Sequence, residues 1–198
     1  SDLTRRGVLA GIAAGAVVTL ARPAAALSVP EARGLIDRVV AEVNSIISSG
    51  RSEAAMIGDF ERLFARYADV PVIARSVLGP AARQASVAQM RAYTAAFQGY
   101  IARKYGKRFR EFIGGRIVVN AARQVRTFYE VNTQVHLRGK APFEVLWLVS
   151  DRSGRDLFFN LVIEGVSMLA AERTEVQAML DRRRGDIAGL TADLQRAG

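Results

Sequence analysis

The stretch VRTFYEVNTQVHL, residues 125–137, alternates apolar or β-branched side chains with mostly polar ones along its whole length. A period of two is typical of a β-strand that has one buried face and one face in water. The stretch therefore predicts one long strand. Its buried face carries the odd-numbered residues, among them Val125, Tyr129, Val131 and Val135.

The neighbouring residues extend this strand into a sheet. A shorter strand is predicted before it, at 117–121. After it, a turn at 139–142 leads into a strand at 143–150, and a second turn at 151–154 leads into a strand at 157–163. Consecutive strands joined by short turns predict an antiparallel meander of about four strands.

The residues that precede the sheet have the periodicity of helices. Ser28 with Glu31, and Ser86 with Gln89, have the spacing of a capping box, which marks a helix N-terminus. Apolar stripes predict helices that begin near residues 28, 52, 69 and 86, the last continuing to about residue 113. Two further helices, at 171–183 and 186–196, close the chain. The predicted fold class is therefore α+β, with helices packed on a sheet.

Residues 1–26 have the features of an export signal peptide. Arg5 and Arg6 precede an uncharged, mostly apolar run at 7–21, and the three alanines at 24–26 suit a cleavage site. The paired arginines resemble a twin-arginine signal, with general export as the alternative. A membrane anchor is the competing interpretation, but a spanning helix needs about 20 apolar residues. We expect cleavage after Ala26, which leaves residues 27–198 as a single soluble domain.

The composition excludes several kinds of site. The chain has no cysteine and one histidine, His136, so disulfides, thiolate metal sites and histidine clusters are excluded. The formal net charge is +9, and all but three of the 28 basic residues are arginine. Arginine can grip phosphate with two hydrogen bonds, although genomic base composition accounts for the same bias.

The sequence also lacks the common catalytic motifs. It contains no nucleophile elbow, no phosphate-binding P-loop, no HExxH and no dinucleotide fingerprint. His136 lies on the wet face of the predicted strand, and nothing in the sequence places Glu130 and Glu144 together. We therefore predict that the protein is not an enzyme and holds no metal or cofactor.

Aromatic side chains are concentrated in the last long helix before the sheet and in the strands. They are consistent with an ordinary core, or with an apolar cavity between a curved sheet and the helices. The second interpretation predicts twelve cavity residues, three from the helix and nine from the sheet: Phe97, Ile101, Tyr105, Val119, Val125, Tyr129, Val131, Val135, Phe143, Val145, Trp147 and Phe158.

The stretch NLVIEGVSML, residues 160–169, followed by ERTE at 172–175, closely resembles the signature of the MlaC family. The resemblance covers about residues 30–197. The other matching residues, in the same order and spacing, are Val77, Leu78, Gly79, Arg83, Phe97, Tyr105 and the tail GDIAGL at 185–190.

MlaC proteins are periplasmic phospholipid-binding proteins, also called toluene-tolerance auxiliary proteins. The resemblance implies a soluble periplasmic carrier with a role in outer-membrane lipid asymmetry. Such a carrier shuttles phospholipid, as cargo, between an outer-membrane lipoprotein complex and an inner-membrane ABC transporter with an MCE-domain protein.

Two other functions remain open at this point. One is a small-molecule-binding or enzymatic domain on a cone-shaped α+β scaffold, which would need a buried acid or base inside the pocket. The other is a nucleic-acid binder, which the basic charge alone suggests. The predicted export argues against it.

Overall fold

The computed structural model describes residues 27–198, except for the side chains of Phe109 and Arg110. The predicted signal peptide, residues 1–26, lies outside the described residues. The described part contains six α-helices: α1 Val29–Ser48, α2 Glu53–Tyr67, α3 Val70–Leu78, α4 Val87–Gly106, α5 Met168–Arg182 and α6 Ile187–Arg196. Short 3-10 segments, Gly79–Arg83 and Lys107–Phe112, follow α3 and α4. No helix within residues 27–198 is long and apolar enough to cross a membrane.

The sequence signals for helix N-termini are confirmed. The Ser28 backbone N–H donates to the Glu31 carboxylate at 2.8 Å, and Ser28 Oγ accepts from the Glu31 N–H in return. Ser86 and Gln89 make the same reciprocal pair at the start of α4. These bonds satisfy backbone donors that a helix leaves without partners at its N-terminus. The prediction that α4 continues to residue 113 is wrong, because α4 ends at Gly106 and gives way to the 3-10 segment.

One antiparallel sheet follows the first four helices. Its strands are β1 Arg116–Val125, β2 Phe128–His136, β3 Phe143–Ser150, β4 Leu157–Ile163 and β5 Val166–Ser167. Each strand pairs with the next along the chain, in the order β1-β2-β3-β4-β5. The α+β class and the meander are confirmed. The sheet has a short fifth strand in addition to the four predicted.

The single long strand predicted at 125–137 is wrong at its start. Val125 is the last residue of β1 and pairs with Phe128, across a two-residue turn formed by Arg126 and Thr127. Arg126 has φ 53°, a left-handed conformation that glycine usually supplies at this turn position. Because Val125 and Phe128 are paired, they lie on the same face of the sheet, opposite to Tyr129. Val125 therefore does not share a face with the odd-numbered residues of β2.

A β-bulge in β1 lets the first helix lie close to the sheet. The register shifts between Val119 and Ala121, which leaves Asn120 as an extra residue. The Arg33 guanidinium of α1 donates to the carbonyl oxygens of Val119 and Asn120 at 3.2 and 3.1 Å. Helix α1 is thereby held over β1 and β2.

The core lies between the helices and the inner face of the sheet. Val131 of β2 and Val149 of β3 are fully buried, as are Tyr93 and Phe97 of α4. Helix α4 packs against α2, α3 and α6, and α5 connects α3 to β4. The two layers are closely packed beneath α1. They separate farther along the strands, toward the end of the sheet where β2 and β4 finish.

Candidate functional site

A cavity of about 650 Å³ lies where the helices and the sheet separate. Its volume is within the range typical of small-molecule and cofactor sites. The wall is formed by strands β2, β3 and β4 on one side and helices α2, α4 and α5 on the other. Most of the wall is apolar, and its principal apolar members are Phe60, Leu63, Phe64, Phe97, Ile101, Tyr105, Phe112, Val135, Phe143, Val145, Trp147, Phe158, Phe159, Leu161, Ile163, Met168 and Leu169.

The strand side of the wall follows from side-chain alternation and register. Val135 lies opposite Phe143 and Thr133 lies opposite Val145, so these side chains are neighbours on the inner face. In β4 a register shift lets Phe158 and Leu161, three residues apart, both face the cavity. The Trp147 and Phe158 rings meet edge to face at 5.2 Å between centroids.

The structure brings eight of the twelve sequence-predicted cavity residues onto this wall. They are Phe97, Ile101, Tyr105, Val135, Phe143, Val145, Trp147 and Phe158. The helix residues are all included, and so are the predicted residues of β3 and β4. Agreement is poorest in the regularly alternating stretch 125–137, where Val135 alone of the four predicted residues lies on the wall.

The other four predicted residues lie away from the cavity. Val131 faces inward but is fully buried in the packed core. The Tyr129 hydroxyl donates to the Leu27 carbonyl, so it joins the sheet to the start of α1. Val119 lies at the bulge held by Arg33, and Val125 lies on the opposite face. Strand periodicity cannot show where along a strand a helix covers the sheet, and it did not show the turn at 126–127 that puts Val125 on the other face.

Sequence reasoning missed the contributions of α2 and α5. Phe60, Leu63 and Phe64 belong to the apolar stripe of α2, which the sequence shows clearly but which an ordinary core helix also has. Met168 and Leu169 begin α5, three residues before the predicted start of that helix. Whether the apolar side of a helix faces the cavity or the packed core depends on tertiary packing, so no local signal identifies these residues.

The polar groups on the sheet side of the wall are hydrogen-bonded within the protein. The Trp147 indole N–H donates to Thr133 Oγ1 at 3.0 Å, and Thr133 donates to the Val145 carbonyl at 3.0 Å. Thr133 and Trp147 are both buried. Because these groups satisfy one another, they present little unpaired polarity to the cavity.

One buried carboxylate, Glu172 of α5, also lies on the wall and is 4% exposed. Its Oε1 accepts from Lys104 Nζ at 2.7 Å and from the Tyr105 hydroxyl at 2.5 Å. Burial and then the hydrogen bond to Glu172 raise the pKa of Tyr105, so its hydroxyl remains a donor at neutral pH. Burial alone would lower the pKa of Lys104, but its hydrogen bonds to Glu172 and Glu175 raise it. The group is an ion pair between α4 and α5.

The exposed members of the wall mark the mouth of the cavity. Arg108 and Glu111 lie on the 3-10 segment, Lys140 on the β2–β3 turn, and Glu164 on the β4–β5 turn. Lys140 Nζ lies 3.0 Å from the Glu111 carboxylate, so an ion pair joins two of these segments. The hydrogen bond from Lys140 lowers the pKa of Glu111.

The arrangement suits enclosure of hydrocarbon better than metal chemistry. Within residues 27–198 no group of three or more His, Asp or Glu side chains is placed to hold a metal ion. An apolar interior with a charged mouth can accept a molecule that has an apolar body and a polar end.

Comparisons with known proteins agree with this geometry. The family model described as MlaC protein matches residues 37–196. Among solved structures, a phospholipid-binding protein from Ralstonia solanacearum, determined in complex with a phospholipid, is similar with a TM-score of 0.72. The two sequences are 16% identical, and the match covers 83% of this chain and 95% of that chain. At this identity the structural likeness establishes a shared fold.

Proposed function

We propose, because this chain belongs to the MlaC protein family, that it is a periplasmic carrier of phospholipid and not an enzyme. The observation that carries the proposal is the apolar cavity of about 650 Å³ with a charged mouth. The structurally similar protein from Ralstonia solanacearum, whose structure contains a phospholipid, supports it.

The physical reason for a carrier is the cost of exposing acyl chains to water. Each CH₂ group removed from water gains about 0.8 kcal/mol, so a free phospholipid rarely leaves a bilayer. In our proposal the acyl chains occupy the cavity against residues such as Ile101, Val145 and Phe158. The headgroup stays at the mouth near Arg108 and Lys140. Because few polar groups meet the headgroup there, we expect little headgroup selectivity.

The route of transport is the finer part of the proposal. We infer that the mature protein, residues 27–198, moves phospholipid between an outer-membrane lipoprotein complex and an inner-membrane ABC transporter with an MCE-domain protein. Membership of the family and the export signal that the sequence predicts at residues 1–26 support this route.

Native mass spectrometry of the full chain, expressed with its export signal and purified from cells, tests the carrier function directly. We expect a bound mass equal to that of a cellular phospholipid, and the same lipid in an organic extract. Protein that carries no phospholipid and takes none up from vesicles would contradict the proposal.

A pair of tryptophan variants locates the binding site. Ile163 lies on the cavity wall, and Ile163→Trp places an indole ring inside the cavity. Val118 lies on the other face of the sheet, opposite the exposed Gln134, so Val118→Trp places the same ring in solvent. We expect Ile163→Trp to lose most bound phospholipid and Val118→Trp to keep it. Equal lipid content in the two folded variants would place the lipid elsewhere.

A further inference from the structure

Strand registers bring three segments of the chain together at the end of the sheet where the cavity opens. Arg116, the first residue of β1, pairs with His136, the last residue of β2. Val135 pairs with Phe143 at the start of β3, and Ile163 at the end of β4 pairs with Val145. Residues 107–116, 136–144 and 163–168 therefore form one surface around the cavity mouth, which we call the mouth face.

Three arginines on the mouth face have no carboxylate partner in the part of the chain that the structure describes. Arg108, Arg116 and Arg138 are exposed, and none of them makes a hydrogen bond or an ion pair within the described residues. Arg108 acts on Glu111 only through space, where it adds to the lowering of the Glu111 pKa. By contrast, Lys140 on the same face is paired with Glu111. The three free guanidinium groups can each bind phosphate oxygens with two parallel hydrogen bonds.

Exposed apolar side chains lie on the same face of the molecule. Five large apolar residues are markedly exposed within residues 27–198, and two of them are on the mouth face. Ile113 is 49% exposed directly after the 3-10 segment, and Val166 is 56% exposed at the β4–β5 turn. Ala141 and Pro142, also exposed, lie on the wall at the mouth. The same surface carries the exposed carboxylates Glu144 and Glu164, but its basic side chains outnumber its acidic ones. A basic surface with exposed apolar side chains is the combination that binds the interface of an anionic membrane.

We propose that the mouth face docks directly on a bilayer that contains anionic phospholipid, with Arg108, Arg116 and Arg138 on lipid phosphates and Ile113 and Val166 among the headgroups. This inference rests on the proposed carrier function. Docking in this orientation lets an acyl chain pass between bilayer and cavity with little exposure to water. A purely acidic protein surface would also attract the arginines, but it would leave Ile113 and Val166 in contact with polar groups.

Flotation of the mature protein with vesicles tests the docking. Wild type should bind vesicles of phosphatidylglycerol and phosphatidylcholine and should bind pure phosphatidylcholine much less. Raising NaCl from about 0.1 M to about 1 M shortens the Debye length from about 10 Å to about 3 Å and should release most of the bound protein.

Two matched triple variants distinguish the effect of the mouth-face arginines on vesicle binding from the effect of the net charge of the protein. Arg108→Gln, Arg116→Gln and Arg138→Gln together should weaken binding to the anionic vesicles roughly hundredfold, because each basic side chain near such a surface contributes about fivefold. The control, Arg91→Gln, Arg152→Gln and Arg182→Gln, removes the same charge from exposed arginines at the opposite end of the molecule. It should bind almost as well as wild type.

Other outcomes would overturn the docking proposal. Equal loss in the two triple variants would mean that net charge alone drives binding. No preference of wild type for anionic vesicles would leave an acidic protein as the partner of these arginines. The lipid content of the same protein, measured by native mass spectrometry, keeps the two proposals distinct. Protein that carries phospholipid but ignores anionic vesicles contradicts only the docking, and protein that docks but carries none contradicts only the carrier function.

Discussion

Lys104 and Lys140 both pair with a glutamate, but in different surroundings. Lys104 joins Glu172, whose side chain is 5% exposed, at the wall of the cavity. Lys140 joins Glu111 at the mouth, where both side chains are more than half exposed to water. A buried carboxylate that loses its cation keeps the cost of having left water, whereas an exposed one is solvated again. A comparison of the two pairs therefore tests how much the buried ion pair at the cavity wall contributes to the stability of the protein.

We expect Lys104→Met to lower the free energy of unfolding by about 3 kcal/mol. Lys140→Met should have a much smaller effect because water screens its pair. Urea unfolding followed by the fluorescence of Trp147, the only tryptophan in the chain, measures both variants. A second substitution, Glu172→Gln, should recover part of the stability lost in Lys104→Met by removing the unpaired charge. Equal losses in the two lysine variants would contradict this account.

Among the elements, the starts of α1 and α4 were predictable because their signals are local. A capping box at residues 28–31 or 86–89 is decided by side chains three positions apart. The break between β1 and β2 was not predictable from local signals, because Arg126 and Thr127 form the turn without glycine or asparagine. Val125 and Thr127 happen to extend the odd-numbered pattern of β2, although the turn moves the inner face from Gln124 to Tyr129, so the pattern indicates one strand where there are two.

In the candidate site, too, some features follow from local sequence patterns and others depend on tertiary packing. Alternation predicted that Val135 points inward, as the pleat of the sheet requires, whereas β3 is apolar on both faces and alternation does not select Val145 or Trp147. Alternation also could not separate Val135 from Val131, which points inward but is fully buried in the packed core. The position of α1 over one end of the sheet makes that difference, and it depends on contacts between residues that are distant in sequence.

Glycine should change the free energy of unfolding in opposite directions at two arginines near the β1–β2 turn, Arg126 and Arg123. Arg126 has φ 53°, a conformation that costs a residue with a Cβ atom roughly 1 kcal/mol. Arg126→Gly should therefore raise the free energy of unfolding by up to about 1 kcal/mol. Arg123→Gly, within β1, should lower it by at least about the same amount, because glycine weakens a strand interior and the ion pair with Glu130 is lost. Urea unfolding measures both changes, and destabilisation by both variants would show that the turn is not strained.

The molecule as a whole is two layers that are closely packed at one end and open at the other. Under α1 the core contains fully buried side chains such as Val39 and Val131. At the other end the wall residues Ile163 and Leu161 remain only half-buried around the cavity. Apolar surface that the fold leaves unburied is available to a ligand, which can bury it on binding. The stability of the protein should therefore depend on its cargo.

Cargo that binds only the folded state stabilises it by mass action, by about 2.7 kcal/mol when free ligand is at a hundred times its dissociation constant. For a chain of this length that corresponds to a rise of roughly 5–10 °C in the midpoint of thermal unfolding. We expect this rise when phospholipid is returned to delipidated protein, measured by circular dichroism. The Ile163→Trp variant should not respond, because its indole occupies the space that the acyl chains need. A rise of the same size in that variant would mean that lipid stabilises the protein from outside the cavity. If the midpoint of the wild type did not change at saturating lipid, the cavity would bind no phospholipid.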